Sequence, residues 1–388
     1  VPGFPPRSWG RPRVELFAVE PAAVQLTWAG LEPGPVRVRV DDRSLVVDND
    51  GDPGGVVVDD LAPAPRRRID VESAPRRSRR IGAESAPRRW AFDVAAPAAP
   101  PGEVLSRLAT VSDIHLGLDH FGLSRRMKER EPLDPPHPYR CGAAAIADAE
   151  AWGAEHLVVK GDLVERGRPD EWRMADRLLA TTSLPTSYVP GNHEVKPDRP
   201  MDAPSPLPES GVEIVDHVAH HDLPGLRLVL VNCTVDGRGH GALDHLVADV
   251  VEVVADTQLP VLVAMHQHPQ RFHLPWFWPP GIPGREARRF LDAIGRANPR
   301  ALVTSGHTHR NRVRRHGPVT LTEVGSTKDF PGVWAGYTVH EDGIVQTVRR
   351  TLAPDALPWT EYTRRAVLGV WGRWAPGRLD DRCTVVRW

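Results

Sequence analysis

Cysteine is scarce. The 388 residues hold three, Cys141, Cys233 and Cys383, too far apart for a disulfide framework or a thiolate zinc site. They are expected to be free, buried thiols, and an odd, unpatterned count favours a reducing, cytoplasmic compartment. Long apolar runs are absent as well: no stretch of 18 apolar residues occurs, so no membrane-spanning helix and no membrane partner are expected. Val1–Arg13 is rich in Pro and Arg and has no apolar segment, so no signal peptide is expected. Charge of one sign is missing too. Lys plus Arg is 49 and Asp plus Glu is 50, which excludes a generally basic nucleic-acid binder and a strongly acidic tail. Only Lys128, Lys160, Lys196 and Lys328 are lysines, and the arginine excess reads as genome composition.

What is abundant is loop chemistry. The chain has 40 Pro and 33 Gly beside 40% hydrophobic and 26% charged residues, the profile of a loop-rich globular protein. Residues 14–94 read as short strands. Val24, Leu26 and Trp28 alternate with small or polar residues, as do Val36, Val38 and Val40. One apolar face per strand needs a second sheet to cover it, so a small β-sandwich is expected over residues 1–100. Within it, Arg67–Ser78 (RRIDVESAPRRS) and Arg79–Trp90 (RRIGAESAPRRW) match at nine of twelve positions. Asp70, Glu72 and Glu84 dilute the charge, so the repeat reads as a slipped duplication that lengthened one loop rather than a basic arm.

Ala95–Gly102 (AAPAAPPG) is a stiff linker and the expected boundary with a second domain, residues 101–388. There strands alternate with helices, which predicts an α/β domain with a parallel or mixed sheet. Helices are predicted over 141–152, 170–180, 243–255 and 285–294. A last helix is predicted over 359–374, where Trp359, Tyr362, Ala366, Val367, Val370, Trp371 and Trp374 would share one buried face capping the sheet.

Five polar clusters sit just past predicted strand ends, the edge where open α/β sheets bind ligands. They are Asp113-Ile114-His115, Gly161-Asp162, Gly191-Asn192-His193-Glu194, His266, and Gly306-His307-Thr308-His309. Singly each is a common turn or a structural histidine. Together, seven O and N donors (Asp113, His115, Asp162, Asn192, His266, His307, His309) converge on one edge, and unpaired polar groups in a cleft are costly. Divalent cations are the natural partner. Carboxylate, amide and imidazole without thiolate suit Mn, Fe or Zn. Seven ligands exceed one tetrahedral ion and fit two ions sharing a carboxylate.

In these blocks the chain resembles the calcineurin-like metallophosphoesterase superfamily, whose D-x-H, G-D, G-N-H-[DE], H and G-H-x-H blocks occur here in order. The resemblance covers about 105–350. It implies a four-layer α/β/β/α sandwich and two divalent or mixed-valence metal ions. The first ion would take Asp113, His115 and His309, with Asp162 bridging; the second would take Asp162, Asn192, His266 and His307. His193 would not be a ligand but would protonate the leaving group while hydroxide between the metals attacks phosphorus. His266 is preferred over His268 as the fourth-block ligand because it directly ends the strand.

The domain layout is similar to purple acid phosphatases, but His115 and Glu165 stand where those carry Gly and a Tyr ligand, so no tyrosinate ligand is expected. The stretch from Gly161 to Glu194 looks like bacterial cyclic-nucleotide and glycerophosphodiester phosphodiesterases. A phosphodiesterase acting on a small phosphoester, nucleotide-like esters included, is therefore the expected function. A phosphomonoesterase on the same site is the alternative, and a non-catalytic metal-binding scaffold is the alternative of another class. No specific nucleic-acid partner is expected. Two loops remain open as pocket walls: Asp119–Arg140, with Arg125, Arg126, Lys128, Arg130 and Arg140, and His273–Pro280, with Trp276 and Trp278. Each reads more plainly as ordinary loop packing.

Overall fold

The computed structural model describes residues 10–75, 86–122, 127–129, 131–195, 207–272 and 279–388. Its centre is a pair of facing sheets. One has seven strands in the spatial order 213–214, Thr186–Val189, His156–Lys160, Val104–Val111, Val333–His340, Gly343–Arg350 and Cys383–Arg387. The other has six, in the order Val218–Leu223, Leu226–Val231, Val261–Ala264, Ala301–Ser305, Val319–Glu323 and Arg312–His316. Both mix parallel and antiparallel neighbours.

The inner strands, such as His156–Lys160, Leu226–Val231, Val261–Ala264 and Ala301–Ser305, are largely apolar because each is covered twice. Period-2 alternation sends Leu108, Val158, Leu228, Leu230, Leu262 and Leu302 into the slab between the sheets. Their neighbours face outward. Ala109, Val111, Leu157 and Val159 pack under the helices His137–Ala151 and Pro169–Leu179. Val229, Val231, Val261 and Val263 pack under Val247–Ala255 and Gly284–Ala297. The result is the expected α/β/β/α sandwich. The third helix begins one turn later than expected, at Val247; the backbone N–H groups of Leu243 and Asp244 donate to Glu286.

Residues 13–95 form two further sheets, three strands (Arg13–Val19, Val24–Ala29, Gly54–Val58) and four (Arg43–Asn49, Gly34–Val40, Arg66–Ser73, Arg88–Ala95), around Val24, Leu26, Trp28, Val36, Val38 and Ile69. The tandem repeat spans the hairpin that joins Arg66–Ser73 to Arg88–Ala95; its residues 76–85 lie outside the described residues. In Val24–Ala29 the polar alternates are buried too. Gln25 donates to the carbonyl of Arg350 and accepts its N–H, both at 2.8 Å. Arg349 pairs with buried Glu20 at 2.7 and 3.0 Å.

The C-terminal expectation is corrected. No single helix spans 359–374; the chain forms Leu357–Thr363, a 3-10 turn Val367–Gly369 and Trp371–Trp374, then Leu379–Arg382 and an unforeseen strand, Cys383–Arg387. The reason is geometric. Trp359 donates to the carbonyl of Lys328, and Trp371 donates to Asp329 and to the carbonyl of Phe330. Twelve helical residues would hold these two indoles about 18 Å apart. To reach the same three residues the chain must fold back, and Val367 and Leu368 turn it in the left-handed region, leaving Val367 and Val370 exposed.

The C-terminal end of the Gly343–Arg350 strand concentrates buried charge. Arg350 donates to the carbonyl of Pro331 at 2.6 Å and to Glu361 at 2.9 Å, and both side chains are almost wholly buried. Removing one partner of such a pair strands the other. The substitution Arg350→Ala is expected to lower stability by about 3–5 kcal/mol in urea unfolding, whereas Arg66→Ala, at an exposed pair, should change it by less than about 0.5 kcal/mol.

Candidate metal centre

The strand-end residues are positioned by unusual backbone. Asp113, His115, Asp162, His307 and His309 all have φ between 50° and 69°. Non-glycine residues avoid this region, and clusters of such strain mark functional sites. The turns are cross-linked. Asp113 N–H donates to the carbonyl of Gly161, His115 N–H to that of Asp162, and Gly306 N–H to that of His266. Asp113 accepts the backbone N–H of His307, and Asp162 accepts that of His193. Gly306 is required by space: a Cβ there would lie 1.8 Å from Ser112 Oγ. Gly161 is required by φ (75°) and by His266, whose Nδ1 would be 2.4 Å from a Cβ.

These turns bring the predicted residues together. Asp113, His115 and His309 present ligand atoms within 4.8 Å of one another, and so do Asp162, His266 and His307. Asp162 Oδ2 lies 3.3 Å from His266 Nε2 and 3.7 Å from His115 Nε2, between the two sets. Asn192 Oδ1 is 3.3 Å from His266 Nε2. A third set within the same limit joins His115, Glu165 and His193. His268 belongs to none of these sets; its ring stacks on His307 at 5.8 Å.

Whether these residues fit metal ions can be tested from hydrogen bonding alone. His266 Nδ1 faces the carbonyl of Lys160 at 2.8 Å, and His307 Nε2 faces that of Pro280 at 3.1 Å. A carbonyl only accepts, so both nitrogens must carry protons. In neutral rings the opposite nitrogens, His266 Nε2 and His307 Nδ1, are then bare lone pairs, and they sit 3.2 Å apart. The other pair repeats the arrangement. His309 Nδ1 meets Asp329 at 2.6 Å, His115 Nδ1 meets Glu165 at 3.0 Å, and their Nε2 atoms face each other at 3.3 Å. Facing lone pairs repel unless a cation lies among them. Outer acceptors that fix the tautomer in this way are the usual support of metal-binding histidines. The donor set fits.

The electrostatics agree. Burial would raise the Asp113 and Asp162 carboxyls, yet His309 beside the first and His193 and His266 beside the second hold both well below the usual range. Burial opposes protonation of His266 and His309, but Asp162 lifts the former to about 9, and Asp329 with Asp113 lifts the latter to about 10. His307 is driven down by burial and by neighbouring His266. The centre holds its carboxylates ionised and draws positive charge inward.

Three supporting residues escaped the sequence reading in their roles. Glu165, noted only as standing where relatives carry Tyr, takes both His115 and His193 on one oxygen, at 3.0 and 2.8 Å. Glu194 is buried and accepts the backbone N–H groups of Asp162, Val164 and Gly191, so it holds two turns. Asp329 was missed altogether, although Ser326–Asp329 is a polar run past the end of the Val319–Glu323 strand, which runs parallel to Ala301–Ser305. In the basic loop, the described cations are paired within the loop itself. Lys128 pairs with Asp119 at 2.5 Å, and Arg140 is buried against Glu129 at 2.5 Å. Arg125, Arg126, Arg130, Trp276 and Trp278 lie outside the described residues.

A sequence profile of the calcineurin-like phosphoesterases matches residues 106–311, just over half the chain and the whole span of the five blocks. The chain belongs to this family. Among family relatives it is 25% identical over 198 residues to a Psychrobacter protein named as a probable cyclic nucleotide phosphodiesterase, covering 49% of this chain and 58% of that one. It is 26% identical over 178 residues to a glycerophosphodiester phosphodiesterase of Enterobacter lignolyticus, covering 44% and 62%. The chain thus spans about three-fifths of the length of these two relatives. A purple acid phosphatase from yellow lupin seeds aligns over 88% of this chain and 72% of its own, with 13% identity and a TM-score of 0.45.

Because Asp329 fixes the orientation of His309, Asp329→Asn is expected to weaken manganese binding by roughly 10–100-fold while the fold persists. Metal titration beside far-ultraviolet circular dichroism measures both.

Proposed function

We propose that the chain is a two-metal phosphodiesterase, with residues 1–100 as a separate β-sandwich and 101–388 as the catalytic domain. The observation that carries the reading is the pair of facing imidazole couples, which together with Asp113, Asp162 and Asn192 offer seven donors to two ions. Asp113, His115 and His309 would hold the first ion and Asn192, His266 and His307 the second, with Asp162 shared. Two such ions supply, when bound, Lewis acidity toward phosphoryl oxygens and a more acidic water.

The remaining chemistry belongs to the chain's own residues. His193 stands at the rim of the centre, its ring 4.4 Å from that of His115. Its Nδ1 donates to Glu165, which leaves Nε2 directed toward the Asp162 side at 3.9 Å. A carboxylate behind an imidazole stabilises the imidazolium, so His193 can hold a proton at Nε2 and deliver it to a departing alkoxide. Glu165 also grips His115, so one carboxylate sets the spacing between the proton donor and a metal ligand. The diester preference rests on the block-two to block-three resemblance and on the names of the relatives. Three free, buried thiols support a reducing compartment. Among the described residues, no helix is long and apolar enough to cross a membrane.

The reading predicts that manganese-loaded protein hydrolyses bis-p-nitrophenyl phosphate faster than p-nitrophenyl phosphate; the reverse order would make it a monoesterase. His193→Ala should retain both metals by elemental analysis and lose roughly 10²–10⁴ in kcat on an alkyl ester. The loss should be smaller on p-nitrophenyl esters, whose leaving group needs no proton. Equal losses on both would reject the proton-donor role.

A further inference from the structure

The six-stranded sheet ends in the strand Arg312–His316. Between this edge, the helix Gly284–Ala297 and residues 270–272 lies a groove of about 700 Å³. Its wall carries the side chains of Arg271, Arg288, Arg312, Arg314 and His316; along the strand Arg312, Arg314 and His316 share the face turned to the helix. The acidic side chains facing them are few. Glu323 lies 4.0 Å from Arg312 and 3.5 Å from Arg314, and Asp292 takes His316 at 2.7 Å. Arg271 and Arg288 have no ion-pair partner among the described residues.

Like charges gathered in a concave, partly buried wall repel one another unless an anion sits among them. Burial, with Arg312 and Arg271 close by, already pushes the Arg314 guanidinium below its ordinary range. Arg314 also donates to the carbonyl of Pro269, and its Nε and Glu323 Oε1 face each other at 3.5 Å without closing a hydrogen bond. One glutamate therefore does not saturate the donors around it. Guanidinium forks approaching from several directions suit the oxygens of a phosphoryl group better than a single carboxylate plane. The volume is that of a small-molecule site. At its rim Phe272 is half exposed, with Arg271 5.1 Å above its ring, a flat apolar surface for an uncharged part of the ligand.

We propose that this groove is a second anion site, separate from the metal centre, for a small ligand carrying two or more phosphoryl groups. The probe is inorganic pyrophosphate, titrated calorimetrically into the full chain after dialysis against EDTA. One saturable site is expected, with affinity falling as salt is raised. The double variant R271A/R288A removes two exposed guanidinium groups and should keep the wild-type melting temperature. It should weaken binding by roughly tenfold for each group removed. The control R39A/R66A, which removes two exposed arginines from the N-terminal sheet, should bind as wild type does. Absence of saturable binding, binding unchanged in R271A/R288A, or equal weakening in both pairs would each overturn the proposal. Because the chelator empties the metal centre, the result is independent of the phosphodiesterase reading.

Discussion

Two couples of imidazole nitrogens, 3.2 and 3.3 Å apart, face each other with their outer nitrogens already committed to acceptors. Everything around them follows from the need to keep four lone pairs and two carboxylates at one point. A protein can hold such a cluster only if positive charge resides within it, because buried like polarity is otherwise too costly. The raised His266 and His309 and the depressed Asp113 and Asp162 are the protein's own expression of that demand. The same demand is what a pair of divalent ions would meet.

Convergence of this kind strains the backbone, and the fold has to absorb the strain. Five left-handed non-glycine residues, at order 1–3 kcal/mol each, would unravel an isolated loop. Here each follows a strand buried on both faces, so the strand ends are fixed and the turns have no room to relax. The cross-links between turns distribute the load. Gly306 passes so close to Ser112 that the first and fifth blocks are locked in register, and Glu194 ties the second block to the third. Placing the site at strand ends thus gives ligands from five distant segments a common, rigid origin.

The N-terminal strands and the C-terminal tail use similar logic around the end of the Gly343–Arg350 strand. Polar residues that look solvent-facing in the sequence are buried there against one another. Gln25 clasps the backbone of Arg350, Glu20 pairs with Arg349, and Arg350 pairs with Glu361. The tail abandons a plausible amphipathic helix because Trp359 and Trp371 must both reach Lys328–Phe330, the segment that also supplies Asp329 to His309. Packing of the C-terminal tail and orientation of His309 therefore meet in one short stretch.

Periodicity and punctuation, read from the chain alone, were enough for the alternating strands and helices, because Leu228 and Val229 or Leu108 and Ala109 declare two buried faces through apolar character. The five blocks were legible for a related reason. Asp, Asn and His directly after an apolar strand are expensive unless used, and their order along the chain names the edge they share. Glu165, Glu194 and Asp329 were not legible in their roles, since a carboxylate that orients an imidazole or caps a turn looks like any surface acid until its partner is known. The break at Ala366–Gly369 and the arginine groove were hidden likewise. Local sequence encodes which residues must be buried and where the chain can turn. Which buried group faces which, and so where charge is left unmatched, depends on contacts between segments as far as 329 residues apart, and only the tertiary structure sets those.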